Sequence, residues 1–154
     1  MFRVFRGYKT MKLIIVGDGV NRQELEWLAE GLNVEFVGLK PNTEVRSLMA
    51  ESKAVILPSE CWEGMPITLI ESFSQGTPMV VSDLGALPEY VQYGRFGEVF
   101  EAGNAEACAA AIKRLLSRPD YEEMCAAAKH EAETKYSEEA NYEQLMGIYG
   151  DVVK

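Results

Sequence analysis

The stretch that decides the fold runs Ala54-Val55-Ile56-Leu57-Pro58-Ser59-Glu60-Cys61-Trp62-Glu63-Gly64-Met65-Pro66-Ile67-Thr68-Leu69-Ile70-Glu71-Ser72-Phe73-Ser74-Gln75-Gly76-Thr77-Pro78-Met79-Val80-Val81-Ser82. Two short apolar runs enclose a polar loop and a segment of helical period from Pro66 to Gln75. Pro66 suits the first turn of a helix, where its missing N–H costs least. A strand, a helix and a second strand in this order predict one βαβ unit of a parallel sheet.

Similar units lie on both sides of this stretch. Further strands are predicted at Lys12 to Val16, Val34 to Val37 and Gly97 to Phe100, and a further helix at Thr43 to Glu51. Apolar residues recur at helical period between the first two strands, at Leu25, Leu28, Ala29 and Leu32. The fold class is therefore predicted as α/β, a Rossmann-like parallel sheet with helices on both faces.

After Phe100 the pattern changes to helices alone. Asn104 is a candidate N-cap, and two more helices are predicted to begin at Pro119 and Ser137. The last of them carries the apolar residues Tyr142, Leu145, Met146 and Tyr149. This all-helical segment is predicted to be scaffold.

Composition limits the classes of function. The chain has 154 residues, enough for one domain over residues 1–154, and 15 basic against 24 acidic residues give a formal net charge of −9. That charge argues against nucleic-acid binding. No apolar run approaches the roughly 20 residues that cross a bilayer. The basic opening, Met1 to Thr10, lacks the apolar core of a secretory signal, so a cytoplasmic location is expected.

The three cysteines predict no special chemistry. Cys61, Cys108 and Cys125 are odd in number and widely spaced, and His130 is the single histidine. This set matches neither a disulfide framework nor a zinc site. The cysteines are predicted to be small core or near-core residues, and no metal ligands are expected.

The loop after the third strand contains candidate binding residues. Ligands of open α/β sheets bind at the carboxyl ends of the strands. The helix that follows presents N–H groups and a positive dipole end at Gly64 to Thr68, which suits a phosphate. Glu63 lies just before this helix, and Glu71 lies about five residues inside it, roughly 7 Å along its axis.

The two carboxylates thus flank a predicted anion-binding helix start. This arrangement suits a ligand whose phosphates have hydroxyl groups on both sides, as in a nucleotide sugar. Sugar hydroxyls would bind Glu63 and ribose hydroxyls Glu71. A second interpretation remains open, because four polar residues share one helix face and such a face is often only solvated surface: Thr68, Glu71, Ser72 and Gln75.

Several motifs together resemble a known family. They are Val16-Gly17-Asp18-Gly19, Phe36-Val37-Gly38, the pair Glu63 and Glu71 with Glu63-Gly64-Met65-Pro66, Gly76-Thr77-Pro78-Met79-Val80-Val81-Ser82-Asp83, and Gly85-Ala86-Leu87-Pro88-Glu89. Between Lys12 and Lys154 the chain resembles the C-terminal, donor-binding domain of a GT-B fold retaining glycosyltransferase of the family 4 type (glycosyl transferases group 1).

The resemblance implies roles for individual residues. Glu63 would contact the donor sugar as the catalytic glutamate, and Glu71 would hold the ribose hydroxyls. Gly64, Met65, Ile67 and Thr68 would face the sugar and diphosphate, Gly38 and Leu39 the nucleobase, and Gly17 the cleft between two domains. The implied donor is a UDP- or GDP-sugar, with no metal or other cofactor.

The chain also departs from the family pattern. An N-terminal acceptor domain and the first strand and helix of the donor domain are expected to be missing, together with the Arg and Lys that clamp the diphosphate. Arg3, Arg6 and Lys9 do not match the spacing of that clamp. The implied partners are an acceptor domain or complementary chain, or a second copy that covers an exposed sheet edge. The resemblance also allows peripheral membrane association of the full enzyme.

Three functions follow. The leading hypothesis is the nucleotide-sugar-binding half of a retaining glycosyltransferase that transfers a hexosyl group to a glycan or lipid-linked acceptor. The alternative is a truncated, non-catalytic module that binds a nucleotide or a partner. A related two-domain epimerase or phosphorylase shares the fold but fits the Glu63 and Glu71 pair less well.

Overall fold

The computed structural model describes residues 11–152. The expectations for Arg3, Arg6 and Lys9 lie outside these residues. The elements, in chain order, are β1 Leu13–Val16, α1 Arg22–Leu28, β2 Val34–Gly38, α2 Asn42–Glu51, β3 Val55–Leu57, α3 Ile67–Ser74, β4 Met79–Ser82, α4 Leu87–Tyr90, a 3-10 turn Gln92–Gly94, β5 Gly97–Phe100, α5 Ala105–Leu116, α6 Tyr121–Lys135 and α7 Glu138–Val152. The predicted α/β class and the helical C-terminal segment are confirmed.

All the described strand pairs are parallel, and they form two groups. β1 pairs with β2, and β3, β4 and β5 form a second sheet in that order. A crossover helix joins each strand to a parallel neighbour, which is the connection that parallel pairing requires. All the loops that follow strands β1 to β4 therefore leave the sheets at their carboxyl ends.

Strand β4 separates two hydrophobic clusters. Met79 and Val81 pack on one face with Leu69 and Phe73 of α3 and with residues of α6. Val80, which points to the opposite face, packs with residues of α5. Helices thus cover both faces of the second sheet, as the sequence predicts.

Helix starts follow the capping residues that the sequence indicated. The Asn104 side chain accepts a hydrogen bond from the Ala107 N–H (3.0 Å), and the Ser137 hydroxyl oxygen accepts one from the Ala140 N–H (3.1 Å). Each bond pairs an amide that has no partner within its own helix. These caps fix where α5 and α7 begin.

The prediction that α1 packs by a four-residue stripe is wrong. The helix ends at Leu28, so Ala29 and Leu32 lie beyond it, and Ala29 alone of the four is buried. Leu28 is 47% exposed. The stripe fails because a seven-residue helix is too short to carry residues at i and i+7 on one face.

One further expectation needs correction. Cys108 is buried, but Cys61 is exposed because it lies in the polar loop after β3 rather than in a packed element. Helix α7 has no buried residue, so its apolar stripe does not contribute to the core of residues 11–152. Across residues 11–152, the helices are too short or too polar to span a membrane.

Gly97 marks the closest approach of two strands. A Cβ at Gly97 would lie 2.0 Å from the carbonyl oxygen of Met79 on β4. We predict that Gly97→Ala lowers the free energy of unfolding by about 3 kcal/mol or more, because the strands must separate. Gly147→Ala in α7 is the control, since nothing lies within 4 Å of the added Cβ. That control should be neutral or stabilising by about 1 kcal/mol. Urea unfolding followed by circular dichroism measures both, and equal effects would contradict the prediction.

Candidate functional site

Four loops meet at the carboxyl ends of the strands, where open parallel sheets bind ligands. They follow β1, β2, β3 and β4. The residues singled out from sequence lie at the carboxyl ends of β1 and β2, on the loop after β3 or in α3.

The glycines at the carboxyl ends of β1 and β2 form one backbone contact. The Gly17 N–H donates a hydrogen bond to the Gly38 carbonyl (2.8 Å). Both have positive φ, +121° and +70°, a conformation that side chains with a Cβ disfavour. The structure therefore brings Gly17 and Gly38 together at the sheet edge, and Leu39 beside them is 79% exposed.

A cation that the sequence analysis missed lies over this edge. Arg22 Nη1 would be 3.3 Å from a Cβ at Gly38. Its guanidinium is held by Glu26 Oε1 (2.8 Å) and Asp18 Oδ2 (3.3 Å), and these contacts, Glu26 first, raise the pKa of Arg22 above its usual value. Arg22 is therefore a fixed positive charge next to the β2 end. No motif in the sequence distinguished it from an ordinary i,i+4 pair.

Glu63 is held within its own loop. The Ser59 hydroxyl donates to Glu63 Oε1 (2.9 Å), and the Ser82 hydroxyl at the end of β4 donates to the Ser59 carbonyl (2.8 Å). Ser82 is fully buried, so the second bond attaches the loop to the core. Glu63 is half-buried, whereas Gly64 and Met65 are exposed.

Gly85 supports Glu63 from the loop after β4. A Cβ at Gly85 would lie 2.9 Å from the Glu63 carbonyl oxygen, and Gly85 has φ of +60°. Two separate constraints, positive φ and a close backbone neighbour, thus favour glycine here. Gly85 belongs to a motif that carries the family resemblance, but no pattern in the sequence indicates that it packs on Glu63.

The first turn of α3 is suited to an anion. Pro66 precedes the helix in an extended conformation and gives no side-chain cap, and the first turn has no acidic residue. The N–H groups of Ile67 and Thr68 have no carbonyl one turn earlier within the helix to bind. Their dipoles and the helix dipole favour negative charge at this end.

Glu71 lies in the second turn of α3 and faces α2. Its side chain is 13% exposed. Asn42 Nδ2 donates a hydrogen bond to Glu71 Oε1, and Arg46 Nη2 lies 3.9 Å from the same oxygen. Because Asn42 begins α2 shortly after Gly38, this contact places Glu71 near the end of β2.

The interpretation of this helix face as solvated surface is wrong for two of its four residues. Ser72 is 0% exposed and donates its hydroxyl to the Thr77 carbonyl (2.8 Å), and Glu71 is largely buried. Thr68 and Gln75 are half-buried. A carboxylate in such a position needs partners, and Asn42 and Arg46 provide them.

The site combines carboxylates that can accept hydrogen bonds from hydroxyl groups with backbone N–H groups that can donate hydrogen bonds to an anion. Glu63 precedes the first turn of α3 and Glu71 follows it, so this turn, which is suited to an anion, lies between two hydrogen-bond acceptors. Among residues 11–152 there is no cluster of three His, Cys, Asp or Glu side chains arranged to hold a metal ion. Ser59, Asn42, Arg46 and Gly85 are the supporting residues that sequence reasoning missed.

The contact between Gly85 and Glu63 can be tested by substitution. We predict that Gly85→Ala destabilises the chain more than Gly103→Ala. Gly103 also has positive φ (+73°), but nothing lies within 4 Å of its Cβ. Gly103→Ala should cost about 1–2 kcal/mol from backbone strain alone, and Gly85→Ala should cost more because the Glu63 loop must also move. Urea unfolding measures the difference. Equal losses would contradict the contact.

Comparison with known proteins places the chain in a family. The sequence pattern of the family described as "Glycosyl transferases group 1" matches residues 3–118. The chain is similar to a phosphatidyl-myo-inositol mannosyltransferase of Mycobacterium leprae, with 30% identity over 97% of this chain and 40% of that protein. It is also similar to the amylovoran biosynthesis glycosyltransferase AmsK of Erwinia amylovora, with 31% identity over 75% of this chain and 30% of that protein.

A solved structure shares the fold. HepE of Anabaena, in complex with UDP-glucose, aligns with a TM-score of 0.84 and 20% identity over 97% of this chain and 44% of that one. The chain thus spans less than half the length of each of these proteins. The family pattern covers most of the chain and includes every candidate site residue. The chain belongs to the glycosyl transferases group 1 family, and its fold matches part of a GT-B fold glycosyltransferase.

Proposed function

We propose that this chain is the donor-binding half of a retaining glycosyltransferase that transfers a hexosyl group from a UDP- or GDP-sugar to a glycan or lipid-linked acceptor. The observation that carries the proposal is the arrangement along α3, where an uncapped first turn free of acidic residues lies between the carboxylates of Glu63 and Glu71. That order matches a ligand with sugar hydroxyls, a diphosphate and ribose hydroxyls in succession.

Each part of the site has one task in this proposal. The amides of Ile67 and Thr68 donate to the diphosphate, and Glu71 accepts from the ribose hydroxyls. Gly38 and Leu39 lie beside the nucleobase, and Gly17 lines the cleft between the two domains. The exposed Leu39 side chain gives the base an apolar surface to lie against.

The chemical contribution of this half is stabilisation of the leaving group. When the bond between the sugar and the diphosphate breaks, negative charge develops on the phosphate oxygens. The fixed amide donors of α3 meet that charge without reorganisation, which is an effective form of electrostatic catalysis. The proposal assigns no metal to this step.

Glu63 contacts the donor sugar in this proposal and is its catalytic residue. Its hydrogen bond from Ser59 orients the carboxylate without neutralising it. A charged acceptor in a half-buried loop binds hydroxyl donors more strongly than a neutral one. The acceptor substrate would be bound by a separate domain or chain, consistent with the chain spanning 40% of the mannosyltransferase that it resembles.

The same observation favours a second candidate, a non-catalytic module that binds the nucleotide and a partner. The two candidates share the donor site and differ in turnover. Mixing the chain with an acceptor domain from a relative and a nucleotide sugar separates them: release of free nucleoside diphosphate in proportion to transferred sugar supports the transferase.

Calorimetric titration tests the proposed ligand. UDP, GDP and ADP, each alone and as a nucleotide sugar, are titrated into the chain. We expect saturable binding for one base. The absence of saturable binding at millimolar ligand for every base would contradict the proposal.

Substitution of Glu71 tests its role. We predict that Glu71→Ala weakens nucleotide binding about tenfold, because the loss of a hydrogen bond to a charged group costs about 1.5 kcal/mol or more. Glu143→Ala on the exposed face of α7 removes the same charge away from the site and is the control. Unchanged affinity of Glu71→Ala, relative to Glu143→Ala, would remove Glu71 from the site.

A further inference from the structure

The Glu71 carboxylate is approached from one side by two residues of α2. Asn42 Nδ2 donates to Oε1, and Arg46 Nη2 lies 3.9 Å from that same oxygen. The two residues are four apart at the start of α2, so they share one face of that helix. The contact joins the βα unit of β2 to the βα unit of β3.

Asn42 uses its side chain in an unusual way for its position. Asparagine at a helix start most often caps the helix and hydrogen-bonds its amides. Here Pro41 occupies the N-cap position, α2 has no side-chain cap, and the Asn42 amide group is directed to Glu71 instead. The residue is therefore better explained by its contact with Glu71 than by the needs of α2.

The two contacts differ in strength and in consequence. Arg46 is half exposed and 3.9 Å away, and such surface pairs contribute little. Asn42 makes the hydrogen bond, and an amide is neutral, so it fixes an oxygen without cancelling the negative charge. An ionised carboxylate has about four acceptor sites, and one bond to Asn42 leaves the others for hydroxyl donors.

We propose that Asn42 is a positioning residue that orients the Glu71 carboxylate toward the 2′- and 3′-hydroxyls of the ribose of the donor nucleotide. This inference rests on the proposed function, because it needs a nucleotide at the site. Asn42 acts through Glu71. Its removal lets the carboxylate rotate, and the ribose hydroxyls then lose a fixed acceptor while the diphosphate contacts at α3 remain.

The readout is the preference for ribose, which a purely structural role would not change. UDP, GDP and ADP are each titrated beside their 2′,3′-dideoxy counterparts, and the ratio of the two dissociation constants is taken for the base that binds. We expect the wild type to prefer the ribonucleotide about tenfold or more, and Glu71→Ala to lose most of that preference. Asn42→Ala should lower the preference about threefold to tenfold by weakening ribonucleotide binding alone.

Two more variants sharpen the result. Asn42→Asp keeps the shape of the side chain and replaces the donor by a carboxylate, so it should also lose the preference. In the double variant with Glu71→Ala, Asn42→Ala should have no additional effect on the ratio. Asn33→Ala is the matched control, since Asn33 donates its amide to the Met11 carbonyl (2.9 Å) and lies outside the site. It should leave the ratio unchanged.

The possible failures are distinguishable. Equal weakening of ribonucleotide and dideoxynucleotide binding by Asn42→Ala, or no change in either, would overturn the positioning role while the effect of Glu71→Ala still supported the proposed function. Lack of wild-type binding for every nucleotide would overturn both. Urea unfolding of each variant checks that the measured species is folded.

Discussion

The burial of strand β4 on both faces is the constraint on which the rest of the structure depends. Within residues 11–152 it is the strand whose four residues are all buried. Alternate side chains, Met79 and Val81 against Val80, hold one helical layer on each face. Phe73 and Phe96 meet edge to face beside it, with ring centroids 5.4 Å apart. The loops of the site begin where this rigid strand and its neighbours end.

Two sets of hydrogen bonds link the core to the site. Ser82, the last residue of β4, bonds to the Ser59 backbone, and the Ser59 side chain bonds to Glu63. On the other side, Thr77 just before β4 donates its hydroxyl to the Met49 carbonyl at the end of α2 (2.8 Å). The strand thus fixes both the loop that carries Glu63 and the helix that carries Asn42. A site held by a buried strand needs little reorganisation to bind its ligand.

The sequence predicted the elements and the carboxylates of the site, but not their supports. Apolar runs and helical periods are repeated signals, so five strands and the main helices were found to within one or two residues. Glu63 and Glu71 were identified because two acids flank a glycine and proline turn. Asn42 and Ser59 are single polar residues whose importance depends on contacts with residues far along the chain, Glu71 and Ser82, and no periodicity marks such contacts. Cys61 was predicted to be core or near-core from its residue type, but it lies in an exposed polar loop.

The sheet is divided where its order predicts an additional strand. Strands β1 and β2 form one group, and β3, β4 and β5 the other. In a doubly wound sheet of order 3-2-1-4-5-6, the place between β1 and β3 belongs to a strand that comes before β1 in the sequence. Parallel strands are normally covered on both faces, yet Val16 of β1 is 38% exposed and Trp27 of α1 is 71% exposed. The strand and helix that the family resemblance implied would fill that place and remain a prediction.

The electrostatics of the site depend on the charges close to it. The net charge of the whole chain, −9, is unfavourable for binding a diphosphate. Charges more than about 8 Å away are largely screened at physiological ionic strength, so the local arrangement decides. The first turn of α3 has no acidic residue, and Glu63 and Glu71 on either side of it are the carboxylates proposed to bind neutral hydroxyls. The two acids lie before and after the first turn of α3 rather than within it. This position leaves the turn suited to a phosphate although the protein as a whole is acidic.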